Sequence, residues 1–301
     1  MEENNVYQYK INDGKATLYR VYGNNGHIVL PEQIDGYPLV SIGPYCFSRS
    51  QRIPGDAIYS GEIDNRFELC GPLVESVEIS HSITFIDSHA FYNCKKLQHI
   101  SLSASLKDIG GDIFVNATKL HDITIREKAS CPTILRAILH QISWDIEIHF
   151  QDLSLFYPEY YEVYDEIGPA HLFGMNIQGE GFRLRQCIKE DVVNLEEFDS
   201  VFEKLCKDES AKTLIHFALV RFVQNPEFYK PYILEHQKDV ERFENLNLCL
   251  IDSLLAHAAL TKESLDVLIA QSRSASETTQ LIAYKKKYFP VKKMSYSFED
   301  F

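Results

Sequence analysis

Residues 83–125 read ITFIDSHAFYNCKKLQHISLSASLKDIGGDIFVNATKLHDITI and repeat one pattern every twenty-three residues. Phe91 and Leu97 of this stretch return as Phe114 and Leu120. Pairs of apolar residues two positions apart recur at the same interval, at Val77 and Ile79, Ile100 and Leu102, Ile123 and Ile125, and Ile146 and Ile148. A spacing of two is typical of a strand with one buried face. A fixed period of about 20 to 29 residues with one short strand per unit predicts a solenoid, whose stacked units share a core.

The whole chain has the composition of an ordinary soluble globular protein. Its 301 residues are enough for two domains at about 150 residues per domain. The formal net charge is -13, and acidic residues outnumber basic ones in both halves of the chain. This charge argues against nucleic acid or an anionic membrane surface as the partner, because both repel an acidic protein. No stretch reaches the roughly 18 apolar residues of a membrane-spanning helix, so no membrane insertion is predicted.

Three segments carry a resemblance to a known repeat. They are LVSIGPYCF at 39–47, ITFIDSHAFYNCKKLQHISL at 83–102 and LKDIGGDIFVNATKLHDITI at 106–125. These segments resemble the BspA-like leucine-rich repeats of bacteria, and the resemblance covers about residues 5–150. It implies a curved solenoid with one short parallel strand per turn, used for contacts with proteins or cell surfaces. Members are often secreted, but residues 1–5 (MEENN) show no basic or apolar part of a signal peptide, which predicts a cytoplasmic location.

The predicted fold class is α+β, with a capped leucine-rich-repeat solenoid over residues 1–150. Tyr7–Ile11 and Ala16–Tyr22 alternate in polarity around Asn12-Asp13-Gly14-Lys15, which indicates a hairpin. A hairpin caps the first turn, which otherwise exposes an apolar face and a strand edge. A short helix at 131–141 and a last strand at 146–150 are predicted to cap the other end.

Residues 151–301 are predicted to form an all-α helical domain. Tyrosine and phenylalanine crowd 151–190, an aromatic-rich junction that we expect to pack against the solenoid. From Val192 onward the apolar spacing is three and four, which is typical of amphipathic helices. Residues 290–301 are predicted to be a flexible tail.

Three features of the repeats need separate treatment: one leaves two alternatives open, and two give specific predictions. Residues 48–66 interrupt the period and form either a surface loop or a degenerate repeat. Phe91 is predicted to be a buried ring that stacks between Phe67 and Phe114 of the neighbouring turns. We expect Cys70 and Cys94, which share a repeat position with Ala117, to fill small buried spaces.

The outward positions of the predicted strands form rows across strands that lie about 4.8 Å apart. Ser76, His99 and Asp122 of one row are residue types of a nucleophile, a base and an orienting acid. A flat strand offers no glycine-rich elbow or oxyanion hole beside Ser76, so a contact surface for a protein is favoured over catalysis. Plain solvated surface is the alternative. The candidate binding residues are Ser76, His99, Asp122 and Asp145 in one row, and Glu78, Ser101, Thr124 and Glu147 in the next.

No catalytic group, metal site or cofactor is predicted elsewhere. The seven cysteines contain no C-x-x-C pair, and none of the eleven histidines belongs to an H-E-x-x-H motif. Gly179-Glu180-Gly181 lacks the third glycine and the preceding strand of a dinucleotide-binding loop.

The favoured function is a non-enzymatic interaction or scaffold protein that binds a protein partner through the exposed face of the solenoid. One rival is an enzyme of unrecognised type in the C-terminal half, with the solenoid as a targeting module. Its pocket is then the aromatic stretch 156–182 with the ionisable side chains of Glu159, Glu162, Asp165, Glu166, His171 and Arg183. Another is a purely structural or assembly role. The identity of the partner and the oligomeric state stay open at this point.

Overall fold

The structure is a computed structural model that describes residues 5–50, 52–167 and 172–290. It divides into two compact units, Met1–Asp208 and Glu209–Phe301. The sequence placed a domain boundary after residue 150, so the first unit extends further along the chain than that boundary.

The first unit contains eighteen strands and four helices among its described residues. The strands are β1 Val6–Asn12, β2 Lys15–Gly23, β3 His27–Val29, β4 Gln33–Ile34, β5 Tyr37–Ile42, β6 Ile58–Tyr59, β7 Phe67–Glu68, β8 Ser76–Glu78, β9 Phe85–Ile86, β10 His99–Leu102, β11 Asp108–Ile109, β12 Asp122–Ile125, β13 Ile146–His149, β14 Ser154–Tyr157, β15 Tyr161–Ile167, β16 Leu172–Gln178, β17 Ile188–Lys189 and β18 Val192–Val193. The helices are α1 Leu135–Leu139, α2 Gly181–Gln186, α3 Leu195–Ser200 and α4 Phe202–Asp208, and Gly71–Leu73 is a turn of 3-10 helix.

The turns of the solenoid build two sheets. The first sheet has the order β14-β13-β12-β10-β8-β3, and all its pairs are parallel except β13 with β14. The second sheet includes the parallel neighbours β11, β9, β5 and β2. The turns that contain β9 and β11 therefore contribute two strands each. One is the strand that the apolar pairs predicted, in the first sheet, and the other is a strand of two residues in the second sheet. The capped solenoid with short parallel strands is confirmed.

The register of the first sheet follows the twenty-three-residue period through three strands. Ser76 of β8 lies opposite His99 of β10, and His99 lies opposite Asp122 of β12. The register then changes, because Asp122 lies opposite Glu147 of β13. The last turn is two residues longer than the others, and it contains the helix α1.

A ladder of stacked phenylalanine rings runs through the core. The Phe47 and Phe91 ring centroids are 4.9 Å apart, and those of Phe91 and Phe114 are 5.8 Å apart. The prediction that Phe67 stacks on Phe91 is wrong, since Phe67 is 65% exposed. Phe67 belongs to β7, which pairs with the hairpin strand β2 outside the repeats.

Residues 48–66 are an insertion and not a repeat. The strand before the insertion, β3, pairs directly with β8 after it, and β5 pairs directly with β9. The described residues between 48 and 66 form no turn of the solenoid between these pairs. The insertion instead supplies β6, which pairs antiparallel with the edge of β1.

The predicted N-terminal hairpin is present as β1 and β2. Asp13 and Gly14 turn with φ of 49° and 72°, as a two-residue hairpin of this hand requires. Arg20 of β2 is buried beneath the start of the insertion. Its guanidinium donates hydrogen bonds to the carbonyls of Tyr45, Cys46, Ser48 and Ser50, and it forms an ion pair with Glu68 at 2.7 Å.

The C-terminal cap combines α1, β13 and β14. Trp144 donates from Nε1 to the carbonyl of Leu120 at 2.7 Å, which ties the cap to the preceding turn. Arg185 of α2 is buried, and it donates hydrogen bonds to the carbonyls of Ile142, Trp144, Pro158 and Gly181. These bonds join residues 151–208 to the solenoid.

The expectation that residues after 150 are all helical needs a correction. Five strands, β14 to β18, precede the main helices. The strand β14 forms because Leu155 and Tyr157 continue the buried face of the first sheet beyond β13. Residues 168–171 of the hairpin β15–β16 lie outside the described residues.

The second unit is helical throughout its described part. Its helices are α5 Ala211–Phe222, α6 Pro226–Glu235, α7 Gln237–Glu241, α8 Leu248–Ala256, α9 Lys262–Gln271 and α10 Ala275–Tyr288. Four of them begin at a side chain that accepts a hydrogen bond from the helix's own backbone, at Ser210, Asn247, Thr261 and Ser274. The predicted tail at 290–301 lies outside the described residues apart from Pro290. Within the described ranges, no helix is long and apolar enough to cross a membrane.

Candidate functional site

The candidate site is the outer side of the first sheet, which we call the strand face. On the same strands, every second residue points into the core instead and is almost fully buried. These core residues are Ile28, Val77, Ile100, Ile123 and Ile148. The first row of the strand face is His27, Ser76, His99, Asp122 and Glu147. The second row is Val29, Glu78, Ser101, Thr124 and His149.

The predicted row assignment holds for six of the eight candidate residues and differs for the other two. Glu147, and not Asp145, lies opposite Asp122, because the last turn carries two additional residues. Asp145 lies just before β13, where its Oδ1 accepts a hydrogen bond from the backbone N–H of Glu159 at 2.7 Å. His149 therefore enters the second row, where the sequence had placed Glu147.

Ser101 is a candidate that the structure removes from the exposed surface. It is only 7% exposed. The guanidinium of Arg126 covers it, with Nη1 donating to the Ser101 hydroxyl at 3.3 Å and Nη2 donating to the carbonyl of Ile79. The prediction that Ser101 is a contact residue is therefore wrong, since a long side chain from the next strand reaches across it.

The strand face contains a cluster of carboxylates and imidazoles around Asp122. His149 Nε2 lies 3.1 Å from Asp122 Oδ1 and 3.7 Å from Glu147 Oε2. His121 Nδ1 lies 2.6 Å from Asp122 Oδ2. On its other side His149 Nδ1 is 2.9 Å from the hydroxyl of Ser154. The two-residue register change brings this cluster together.

Protonation in the cluster follows from these contacts. The hydrogen bond to Asp122 raises the pKa of His149, although burial acts in the opposite direction. Burial acts to raise the pKa of Asp122, but the hydrogen bond from His149 and the charge of His121 outweigh it and lower that pKa. Burial lowers the pKa of His99, with the Asp122 charge opposing the change. Asp122 is thus held ionised beside an imidazole that favours its proton.

The predicted series of Ser76, His99 and Asp122 is present in register, but Ser76 has another imidazole partner. The Ser76 hydroxyl lies 2.9 Å from Nδ1 of His27, whose Nε2 lies 3.4 Å from Glu75. His27 was not among the predicted candidates, because β3 precedes the insertion and lies outside the regular period. The side chain of His27 is mostly exposed, so water surrounds this arrangement.

A cavity of about 810 Å³ lies further along the first unit, near the rival enzyme site. Its lining includes Glu180, Phe182, Arg183, Cys187, Glu197 and Lys204. Arg183 pairs with Glu180 at 2.7 Å, and Lys189 pairs with Glu197 at 2.5 Å, so these charges neutralise one another. The cavity includes the end of the predicted stretch 156–182, from Ile177 to Glu180 and Phe182, and Arg183 is the predicted ionisable residue among its described lining residues. His171 and the side chains of Asp165 and Glu166 lie outside the described residues.

The repeats have a counterpart among known protein families. The family profile of the BspA type leucine rich repeat region matches residues 25–134 in six copies. Residues 25–134 form a BspA-type leucine-rich repeat region. Neither the curated proteins nor the solved structures contain a significant match to the chain.

The extent of the BspA-type region divides the strand face into two parts. His27, Ser76, His99 and Asp122 belong to the matched repeats, which end at residue 134. Glu147 and His149 lie beyond it, on the strand of the C-terminal cap. The cluster around Asp122 therefore joins the last matched repeat to the cap, and it is not a property of the repeat pattern itself.

Proposed function

We propose that the chain is a non-enzymatic interaction protein that binds a protein partner through the strand face. The observation that carries this proposal is the alignment of outward side chains, polar except for Val29, in two registered rows on five parallel strands. Five strands at about 4.8 Å spacing give rows about 19 Å long. Stacked repeats of this kind create extended surfaces for binding.

The charge of the strand face indicates the chemistry of the partner. Glu78, Asp122 and Glu147 project from it, with Glu75 at its border. Arg126, which follows β12 directly, is engaged with Ser101 and the Ile79 carbonyl. We therefore propose a partner that presents basic groups, since opposite charge across an interface speeds encounter and disfavours wrong partners.

The experiment is affinity purification of the full chain from its source organism. The test variant is Ser76→Lys plus Glu78→Lys, which reverses the charge of β8 at outward positions. The control is Thr84→Lys plus Asp108→Lys, which makes the same change of charge at exposed positions near the strands of the second sheet. We expect the test variant to lose the partner and the control to retain it. Retention by both variants contradicts the proposal.

The cavity of about 810 Å³ favours a second candidate function, an enzyme of unrecognised type in the region after the repeats. Its volume is that of a small-molecule site. Its test is Ser200→Trp, which fills the cavity from α3, measured against a panel of small metabolites by thermal shift. A metabolite that stabilises the wild-type protein and not this variant supports the second function. If no metabolite stabilises the wild-type protein, the cavity has no ligand in that panel and the interaction role stands alone.

A further inference from the structure

We propose that Asp122, Glu147 and His149 form a binding site for one divalent transition-metal cation of the zinc type. Each residue offers one ligand atom, and the three atoms lie within 4.8 Å of one another. This proposal goes beyond the interaction role and does not depend on it: it shares Asp122 and Glu147 with the charged strand face, but it concerns a ligand of a different class.

The distances between the donor atoms suit one shared ion. His149 Nε2 is 3.1 Å from Asp122 Oδ1 and 3.7 Å from Glu147 Oε2. Two donors bound at about 2.1 Å to a tetrahedral zinc ion lie about 3.4 Å apart. These two separations lie on either side of this value, and all three donor atoms lie within 4.8 Å of one another, so side-chain rotations are needed to bring the three to tetrahedral distances.

Groups outside the three residues orient two of the ligands. The Ser154 hydroxyl holds Nδ1 of His149 at 2.9 Å, which leaves Nε2 directed at the carboxylates. His121 holds Oδ2 of Asp122 at 2.6 Å, which leaves Oδ1 directed at His149. Metal-binding histidines and carboxylates are held in this way by second partners, and loss of such a partner weakens metal binding about 10- to 100-fold.

The backbone that carries the three residues is fixed on both sides. Asp122 and Glu147 are direct neighbours in the parallel pair β12–β13, and His149 follows on the same face of β13. The strand β13 is itself enclosed, since β14 pairs with its other edge and supplies Ser154. Ligands on paired strands are positioned more accurately than ligands on loops.

The donor set selects the class of cation. One imidazole nitrogen with two carboxylate oxygens suits zinc and neighbouring transition metals, whereas magnesium and calcium prefer oxygen ligands throughout. The side chains of Asp122, Glu147 and His149 are 32%, 20% and 34% exposed. Water or a further ligand therefore reaches the open side of the ion, as at zinc sites with three protein ligands.

The experiment is titration calorimetry of the full chain, stripped with EDTA and dialysed, against zinc chloride. We expect one ion per chain with the ligand set described. His149→Gln and Glu147→Gln should each weaken this binding at least tenfold, and Ser154→Ala about tenfold through loss of orientation. His27→Gln is the matched control, because it removes an exposed imidazole from the same face, and it should bind as the wild type does.

Cobalt(II) absorption distinguishes the site from the seven free cysteines. Nitrogen and oxygen ligands give a visible spectrum without the thiolate charge-transfer band, and Glu147→Gln should abolish that spectrum. Zinc binding that is unchanged in both His149→Gln and Glu147→Gln overturns the proposal, as does a thiolate band. Thermal unfolding of each metal-free variant shows that it is folded. The interaction test uses Ser76 and Glu78, so either proposal can fail alone.

Discussion

Arg20 and Arg185 are both buried, and each fixes one cap of the solenoid through four backbone carbonyls. The two caps differ in how they balance the buried charge. Arg20 has the carboxylate of Glu68 at 2.7 Å. Arg185 lies instead over the ring of Tyr160, with 4.9 Å between the guanidinium carbon and the ring centroid.

This difference shows two ways to place a cation in a protein core. At the N-terminal cap a carboxylate neutralises the charge. At the C-terminal cap carbonyl dipoles and aromatic faces share it, and burial lowers the pKa of Arg185 to about 10. Three of the four hydrogen bonds of Arg185 are buried, against two of the four of Arg20. The C-terminal cap therefore depends more on its arginine.

Arg185→Met should give the largest effect, a loss of about 5 kcal/mol in the free energy of unfolding. It leaves buried carbonyls without donors, at about 1–3 kcal/mol for each such group, and part of this is recovered by relaxation. Urea denaturation followed by the fluorescence of Trp144, the single tryptophan, reports on this cap directly. Arg183→Met is the control on the same helix, since the Arg183 side chain is largely exposed. Equal losses for the two variants contradict the role of Arg185.

Phe91→Ala tests the stack between the caps and should cost about 4 kcal/mol. The ring is fully buried between Phe47 and Phe114, and truncation of core phenylalanine costs about 3–5 kcal/mol. Phe67→Ala is the matched control and should change stability by less than about 0.5 kcal/mol, because that ring is exposed. A large loss of unfolding free energy in Phe67→Ala would mean that Phe67 belongs to the stack, as the sequence alone predicted, and would contradict the observed stack.

Arg20→Met should cost about 3 kcal/mol, less than Arg185→Met, because fewer of the released carbonyls are buried. Glu68 also keeps access to water, with 32% of its side chain exposed. Arg66→Met, at the end of the insertion, is the control. Urea denaturation of the two variants measures the loss of unfolding free energy at each arginine. A larger loss in Arg20→Met than in Arg185→Met contradicts the conclusion that the C-terminal cap depends more on its arginine.

Glu68→Gln should have the smallest effect, about 1 kcal/mol. It removes the negative charge beside Arg20 and keeps a group that accepts hydrogen bonds, and partial exposure screens the interaction. Glu62→Gln, in the insertion that precedes β7, is the control. A loss as large as that of Arg20→Met means that the carboxylate, and not the set of carbonyls, holds the N-terminal cap.

The regular part of the fold could be read from the sequence because its signals are local. The apolar pairs and the phenylalanine positions set the strands, the register of β8, β10 and β12, and the neighbours Phe91 and Phe114. The predicted hairpin follows from Asp13-Gly14 in the same way. Each of these features is specified within one period of the repeat.

The parts that escaped prediction depend on contacts between distant residues. Nothing in the sequence around Arg20 marks it as a buried cation, and only folding brings four carbonyls of residues 45–50 around its guanidinium. The expectation that no strand precedes Gly179-Glu180-Gly181 is wrong, because β16 ends at Gln178. A Cβ at Gly181 would lie 2.0 Å from the Pro158 carbonyl, so this glycine serves close packing in the cap.

In the candidate site, too, locally specified features were predicted and contacts between distant residues were not. Ser76, Glu78, His99, Asp122, Thr124 and Glu147 were placed on the strand face correctly, because strand alternation decides that. The proximity of His149 to Asp122 was not predicted, since it requires the longer last turn. A motif search along the chain does not find ligands that come from neighbouring strands.

The reversal of strand direction at β14 sets where the chain can be lengthened. A copy of one twenty-three-residue turn inserted between β8 and β12 keeps the parallel register on both sides, and it widens the strand face by about 4.8 Å. A copy added after β13 would have to pair with β14, which is antiparallel, and it would follow a turn that is two residues longer than the others. Its strand therefore has no parallel neighbour in the matching register. Duplication of internal repeats is thus the open route by which such a protein, in evolution or in engineering, acquires a larger surface.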